Sequence, residues 1–159
     1  GYQMRRLSAF MNPDEDPLGA GYQVRLSVIA IGAGGDTGLG LDSGRQKLFF
    51  LPYPYTDFIY SVIGEELGLA GTASVAAAYL IVLWRGLRVA ARAPDLFGSY
   101  LAAGITIFLV AQAMINMSVA MGMLPAKGLP LPFLSYGGSS LVAGLMASGV
   151  LLSISQRTT

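Results

Sequence analysis

Four groups of residues carry side chains suited to acid–base or anion chemistry. Asp57 follows Pro52-Tyr53-Pro54-Tyr55-Thr56 and opens a long apolar run. A carboxylate set against Tyr53, Tyr55 and Phe58, half out of water, is expected to have a raised pKa. That suits a general base; the other role open to Asp at such a position is an ordinary helix N-cap. Lys127 is an isolated cation between two uncharged stretches. It is placed to meet a phosphate, either of a substrate or of a lipid head group. Ser135-Tyr136-Gly137-Gly138-Ser139-Ser140 opens the last apolar run. Free backbone N–H groups at such a helix start attract an anion, which makes it a candidate pyrophosphate site; close packing through small residues is the alternative. Glu65 and Glu66 lie about two turns into the first apolar run. Carboxylates at that depth are functional candidates; one is expected to face a helix bundle and the other to reach the interface.

What is missing narrows the chemistry. The 159 residues contain no His and no Cys. A Ser–His–Asp triad, a Cys nucleophile, a thiolate or imidazole zinc site and a disulfide framework are all excluded within this chain. The net charge is +1, which leaves no electrostatic footprint for nucleic acid.

The elements that position these groups are read from charge and hydropathy. Charged residues make up 12% of the chain, about half the usual share. None falls in 67–84, 96–126 or 128–156. A helix spanning a bilayer takes roughly 20 apolar residues, so an all-α polytopic membrane protein is expected, with helices at about 58–84, 96–121 and 136–155. Within the first, Gly64 and Gly68 make a small-xxx-small pair suited to close helix packing, and Trp84 stands where an interfacial aromatic belongs. A short basic connector with Arg85, Arg88 and Arg92 follows. Pro94 stops one helix and Asp95 caps the next. Gln112 and Asn116, four apart, share a face of the second span; interhelical hydrogen bonding and substrate contact are both open to them. Residues 1–56 read as one long loop with short amphipathic segments. In it, Val24, Ser27, Val28 and Ile31 fall on one face of a helix over Gln23–Gly32. The glycine-rich stretch Gly32–Gly44 has no Gly-x-Gly-x-x-Gly spacing and reads as a loop.

Orientation follows from the short loops. Arg85, Arg88 and Arg92 lie together and Arg157 follows the last span, so the positive-inside rule puts both ends in the cytoplasm. Residues 1–56 and the Lys127 loop then share the outer face. The chain opens on Gly1 and is expected to be the C-terminal piece of a longer protein.

Several stretches together resemble the SEDS family (FtsW/RodA/SpoVE) of bacterial peptidoglycan polymerases. They are Asp16-Pro17-Leu18-Gly19-Ala20-Gly21-Tyr22-Gln23, Gln46–Pro52, Thr56-Asp57-Phe58-Ile59, Gly64-Glu65-Glu66-Leu67-Gly68 and Leu124–Ser140. The resemblance covers essentially the whole chain. Lys127 before Gly128 and Ile115-Asn116-Met117 resemble the division branch rather than the elongation branch. It implies a ten-helix fold, of which this chain would be the last three helices and the large extracytoplasmic loop. The family's essential aspartate, in a Thr-Asp-Phe motif, maps onto Asp57, with Thr56 beside it as support. The implied activity is polymerisation of lipid II into glycan strands at the septum. Lys127, Lys47 and the Ser135–Ser140 helix start, with a divalent cation (Mg or Mn) as a further candidate, would stabilise the leaving pyrophosphate. Glu65, Glu66, Gln112 and Asn116 would support the site. The implied partners are lipid II, the nascent strand, a class B penicillin-binding transpeptidase and other divisome membrane proteins. Rival readings are a lipid II flippase, whose path would need polar groups across the bilayer, and a non-catalytic divisome scaffold. This chain departs from the family pattern at Pro52-Tyr53-Pro54-Tyr55, where many relatives carry an acid and a His, and at Phe49, where some carry an acid.

Overall fold

The computed structural model of the protein describes residues 20–40, 58–125 and 128–157. Thr56, Asp57, Lys47 and Lys127 lie outside the described residues. Among the described residues there are four helices: α1 (Ala20–Gly34), α2 (Ile59–Arg92), α3 (Leu96–Ala120) and α4 (Gly138–Gln156). The last three are long and apolar enough to cross a membrane. The all-helical membrane architecture expected from the charge-free runs is therefore the one observed.

The boundary between the first two spans is sharper and later than expected. α2 does not stop at Trp84 but continues through the basic segment to Arg92. Arginine and alanine are good helix formers, and nothing in Arg85–Ala91 interrupts the backbone before Pro94. Arg88 and Arg85 lie beside the Trp84 ring, 4.3 and 5.9 Å from its centroid, so the basic cluster and the aromatic act as one patch. Ala93 is extended, as a residue close before proline tends to be. Asp95 caps α3 by accepting from the Gly98 N–H at 2.7 Å.

α2 and α3 pack closely through small residues. A Cβ at Gly86 would fall 2.1 Å from Thr106 Oγ1. Ala102, Thr106, Leu109, Val110, Ala113 and Asn116 are buried along α3. In lipid, helices gain little from hiding apolar surface from one another, so contact this close is what drives association. At its far end α3 stops with Gly122 at φ 74, where Gly122 N–H reaches Val119 O and Met123 N–H reaches Ser118 O. That is the paired hydrogen bonding of a Schellman stop. α4 is held more lightly; Gly144 is its one buried residue among those described.

α1 is longer than expected and turned differently. Leu26, Ser27, Ala30 and Gly34 are its buried residues, while Val28 is 44% exposed. Ser27 Oγ donates to the Ala120 carbonyl at 2.6 Å. Its only proton is then used, so it accepts from Ser61 Oγ. One serine thus ties α1 to α2 and α3 together.

Gly68 does not act as a packing glycine in a continuous helix. It sits at φ 64, ψ −153 and breaks α2. The break frees the Glu65 and Glu66 carbonyls and the Leu69 N–H. The glycine-rich segment after α1 takes up all three: Leu39 N–H donates to Glu65 O at 3.0 Å, Gly40 N–H to Glu66 O at 3.1 Å, and Leu69 N–H to Gly35 O at 2.9 Å. Glycine is required on both sides of this contact. A Cβ at Gly38 would lie 2.2 Å from Glu66 O, and one at Gly68 would lie 2.4 Å from Gly38 N. The combination of φ and ψ at Gly68 is essentially closed to other residues. Gly68→Ala is expected to cost at least about 2 kcal/mol, read as a lowered thermal unfolding midpoint of the full-length parent in detergent.

Candidate active site

The foot of α2, the loop after α3 and the start of α4 come together at one end of the bundle. Ile59, Phe133, Leu134, Ser135, Tyr136, Gly137, Gly138 and Leu141 line a cleft of about 610 Å³. Ile59 stands two residues after Asp57 in sequence. The residue between them, Phe58, is anchored: it is 4% exposed and packs with Leu26 of α1 and Val119 of α3. Phe58 also occupies the N-cap position of α2, and its carbonyl accepts from Ser61 N–H at 3.0 Å. The capping position considered for Asp57 therefore belongs to its neighbour.

The wall opposite Ile59 is a loop held by side chains from two spans. Asn116 Nδ2 donates to Leu129 O at 2.7 Å and Gln112 Nε2 donates to Pro130 O at 2.9 Å. Tyr79 Oη, from α2, donates to Pro132 O. Leu131, between these carbonyls, is 0% exposed in the core with Tyr60, Tyr79, Ala113, Met117 and Ala120. Its N–H donates to Ser135 Oγ at 2.7 Å, and its carbonyl accepts from Ser135 N–H at 2.9 Å. Proline supplies no N–H, so a loop with Pro130 and Pro132 leaves an excess of carbonyls. The three side-chain donors answer that excess.

Sequence-based expectations fare unevenly here. Gln112 and Asn116 do share a face, and both donate to the loop backbone. Gly137 and Gly138 line the cleft, and Gly137 is the N-cap of α4 with no side-chain cap. Ser139 and Ser140 follow in the first turn, without lining the cleft. Ser135 lines it, yet its buried hydroxyl is engaged by Leu131, so its first duty is to shape the turn. Glu65 is 1% exposed inside the bundle and Glu66 is only partly buried. Both sit at the helix break, away from the residues lining the cleft. Among the described residues no three His, Cys, Asp or Glu side chains converge, so these residues do not by themselves build a divalent-cation site. Two participants were not anticipated from sequence. One is Tyr79, a lone hydroxyl in an apolar run that needs a partner when buried. The other is Phe133, whose backbone φ is 67.

A family model described as "Cell cycle protein", covering FtsW, RodA and SpoVE, matches residues 1–159. The chain belongs to this family. It is 54% identical over 156 residues to a probable peptidoglycan glycosyltransferase FtsW of Geobacter metallireducens, and 50% identical over 155 residues to stage V sporulation protein E of Bacillus subtilis. Each match covers 98% of this chain and 42% of the relative. Among solved structures, it is similar to a chain from a peptidoglycan synthase complex in which polymerization and crosslinking are structurally coordinated. That likeness has a TM-score of 0.79 and 33% identity, over 98% of this chain and 42% of the other. The chain thus spans about two fifths of the relatives it matches, and with three membrane-capable helices it is part of a multi-pass membrane protein.

The double hydrogen bond at Ser135 gives a test of the loop. Ser135→Ala leaves the buried Leu131 N–H without its acceptor, at a cost of about 1–3 kcal/mol. The unfolding midpoint of the parent should drop and the Leu131 amide should exchange faster. Ser139→Ala, on the exposed side of the same segment, should stay within about 0.5 kcal/mol.

Proposed function

We propose that the protein containing this chain is a peptidoglycan glycosyltransferase that polymerises lipid II during cell division, with Asp57 as general base. The observation that carries the reading is the cleft. It sets the α4 start and the loop 128–135 against Ile59, two residues beyond Asp57. The family membership supports the chemistry, and the FtsW relatives support the division role.

In this reading Asp57 takes the proton from the 4-hydroxyl of an acceptor lipid II. The oxygen attacks the anomeric carbon of the growing strand. A new C–O bond forms as the bond to the lipid diphosphate breaks, and the diphosphate leaves as an anion. Developing charge of that kind must be met by fixed donors and cations. Gly137, Gly138, Ser139 and Ser140 present the N-terminal turn of α4, where a dipole favours an anion. Lys127, two residues before Leu129, and Lys47 are the cationic candidates. A divalent cation, if one takes part, would draw ligands from beyond the described residues.

The substrate is presented on the outer face of the cytoplasmic membrane, and the cleft is assigned to that side at the septum. Arg85, Arg88, Arg92 and Arg157 then lie in the cytoplasm, in keeping with the positive-inside rule. A class B penicillin-binding transpeptidase is the expected partner, in line with the synthase complex that this chain resembles. The flippase reading loses its best feature, because the polar pair available to line a path, Gln112 and Asn116, is engaged with the Leu129 and Pro130 carbonyls.

Asp57→Asn in the full-length parent, assayed with its transpeptidase partner, should reduce lipid II polymerisation by roughly 100- to 10,000-fold while the protein still inserts. Polymerisation at the wild-type rate would sink the assignment of Asp57 as the general base.

A further inference from the structure

Phe133 is the one non-glycine residue with positive φ among those described, at 67. A bulky side chain in the left-handed region is unusual and costs energy unless its surroundings impose it. Its ring sits between two cavities. It lines the cleft at Ile59, and it also lines an apolar groove of about 400 Å³ with Ser74, Val75, Ala78, Tyr79 and Val82 of α2. From the other side it is backed by Gly144 of α4, where a Cβ would lie 3.2 Å from Phe133 Cε1.

The peptide that joins Pro132 to Phe133 decides this placement. Its carbonyl belongs to Pro132 and its nitrogen to Phe133, so turning the peptide plane changes φ of Phe133 directly. The Tyr79 hydroxyl donates to that carbonyl. Tyr79 is itself buried in the core cluster with Leu131, so the donor is fixed by packing. Gln112 and Asn116 restrain the carbonyls earlier in the loop, and Tyr79 donates to this peptide from outside the loop.

We propose that Tyr79 is a positioning residue for the cleft: its hydroxyl locks the Pro132–Phe133 peptide, holding the Phe133 ring and the following Ser135–Gly138 segment in the geometry that the reacting substrate meets. Tyr79 acts through the loop and needs no contact with the reacting atoms. The functional half of this inference rests on the polymerase reading; the conformational half does not.

The test uses the full-length parent in detergent or proteoliposomes with Tyr79→Phe, which keeps the ring and removes only the hydroxyl. Amide hydrogen exchange at Leu134 and Ser135, both of which donate to the Leu131 carbonyl, should speed up by about fivefold, the worth of an ordinary net hydrogen bond. Exchange within α3 should stay at the wild-type level, which shows that the variant is folded. Tyr60→Phe is the comparison, since the Tyr60 hydroxyl bonds Thr72 O across the Gly68 break, at 3.4 Å, rather than the loop; loop exchange should not change there. For lipid II polymerisation, Tyr79→Phe should lower kcat about fivefold or more with KM within about twofold, the split expected when geometry in the transition state is lost. Unchanged exchange at Leu134 and Ser135 would overturn the lock. Faster exchange with unchanged kcat would overturn the positioning role. A wild-type parent that makes no glycan would count against the polymerase reading alone, and exchange would still decide the lock.

Discussion

Inside a bilayer no water is present to satisfy a stray N–H or C=O, so every irregular stretch of backbone must be answered by protein. Among the described residues this chain has two such stretches, and each is answered by named partners. At the first, a glycine-rich segment donates to the carbonyls that the Gly68 break releases and accepts from the Leu69 N–H. At the second, Tyr79, Gln112 and Asn116 donate to three carbonyls of a loop punctuated by proline. Removing either set of partners would leave buried polar backbone unsatisfied, at a cost of about 1–3 kcal/mol per group.

That constraint also explains where the cleft is. A regular helix offers no free backbone for chemistry, and an unsupported loop would not hold a shape. A loop whose carbonyls are spent on its own scaffold leaves its other face for a ligand. Ser135 illustrates the division: its hydroxyl and N–H close the turn on Leu131, and the residues after it open the cleft. Phe58, packed between Leu26 and Val119, does the same service at the foot of α2. The two walls come from segments more than 70 residues apart in sequence, and α1 ties α2 to α3 through Ser27, Ser61 and the Ala120 carbonyl.

Features governed by neighbouring residues were legible in the sequence. Pro94 and Asp95 mark a boundary because one blocks a helix and the other caps it, and both effects are local. The three spans follow from the absence of charge over long runs. The basic segment after Trp84 reads as a connector if charge is the sign of a loop, whereas arginine extends a helix readily and α2 runs on to Arg92. Gly68 was read as a packing glycine because a helical GxxxG spacing and a helix break look alike until φ is known. Tyr79 was missed because its partner lies 53 residues away, and nothing local distinguishes it from a membrane-interface tyrosine. The catalytic assignment of Asp57 came from motif resemblance, since a lone carboxylate at a span's foot is equally consistent with an ordinary cap.

The foot of the first span and the proline-rich loop form one cleft, which we propose faces the cell exterior. Single cysteines at Ile59 and Tyr136, installed together in the full-length parent with any other cysteines removed, test it in intact membranes. A short, membrane-impermeant bis-maleimide added from outside should join the two positions within one molecule. Failure to cross-link, or cross-linking only when the reagent is admitted to the cytoplasm, would contradict the account.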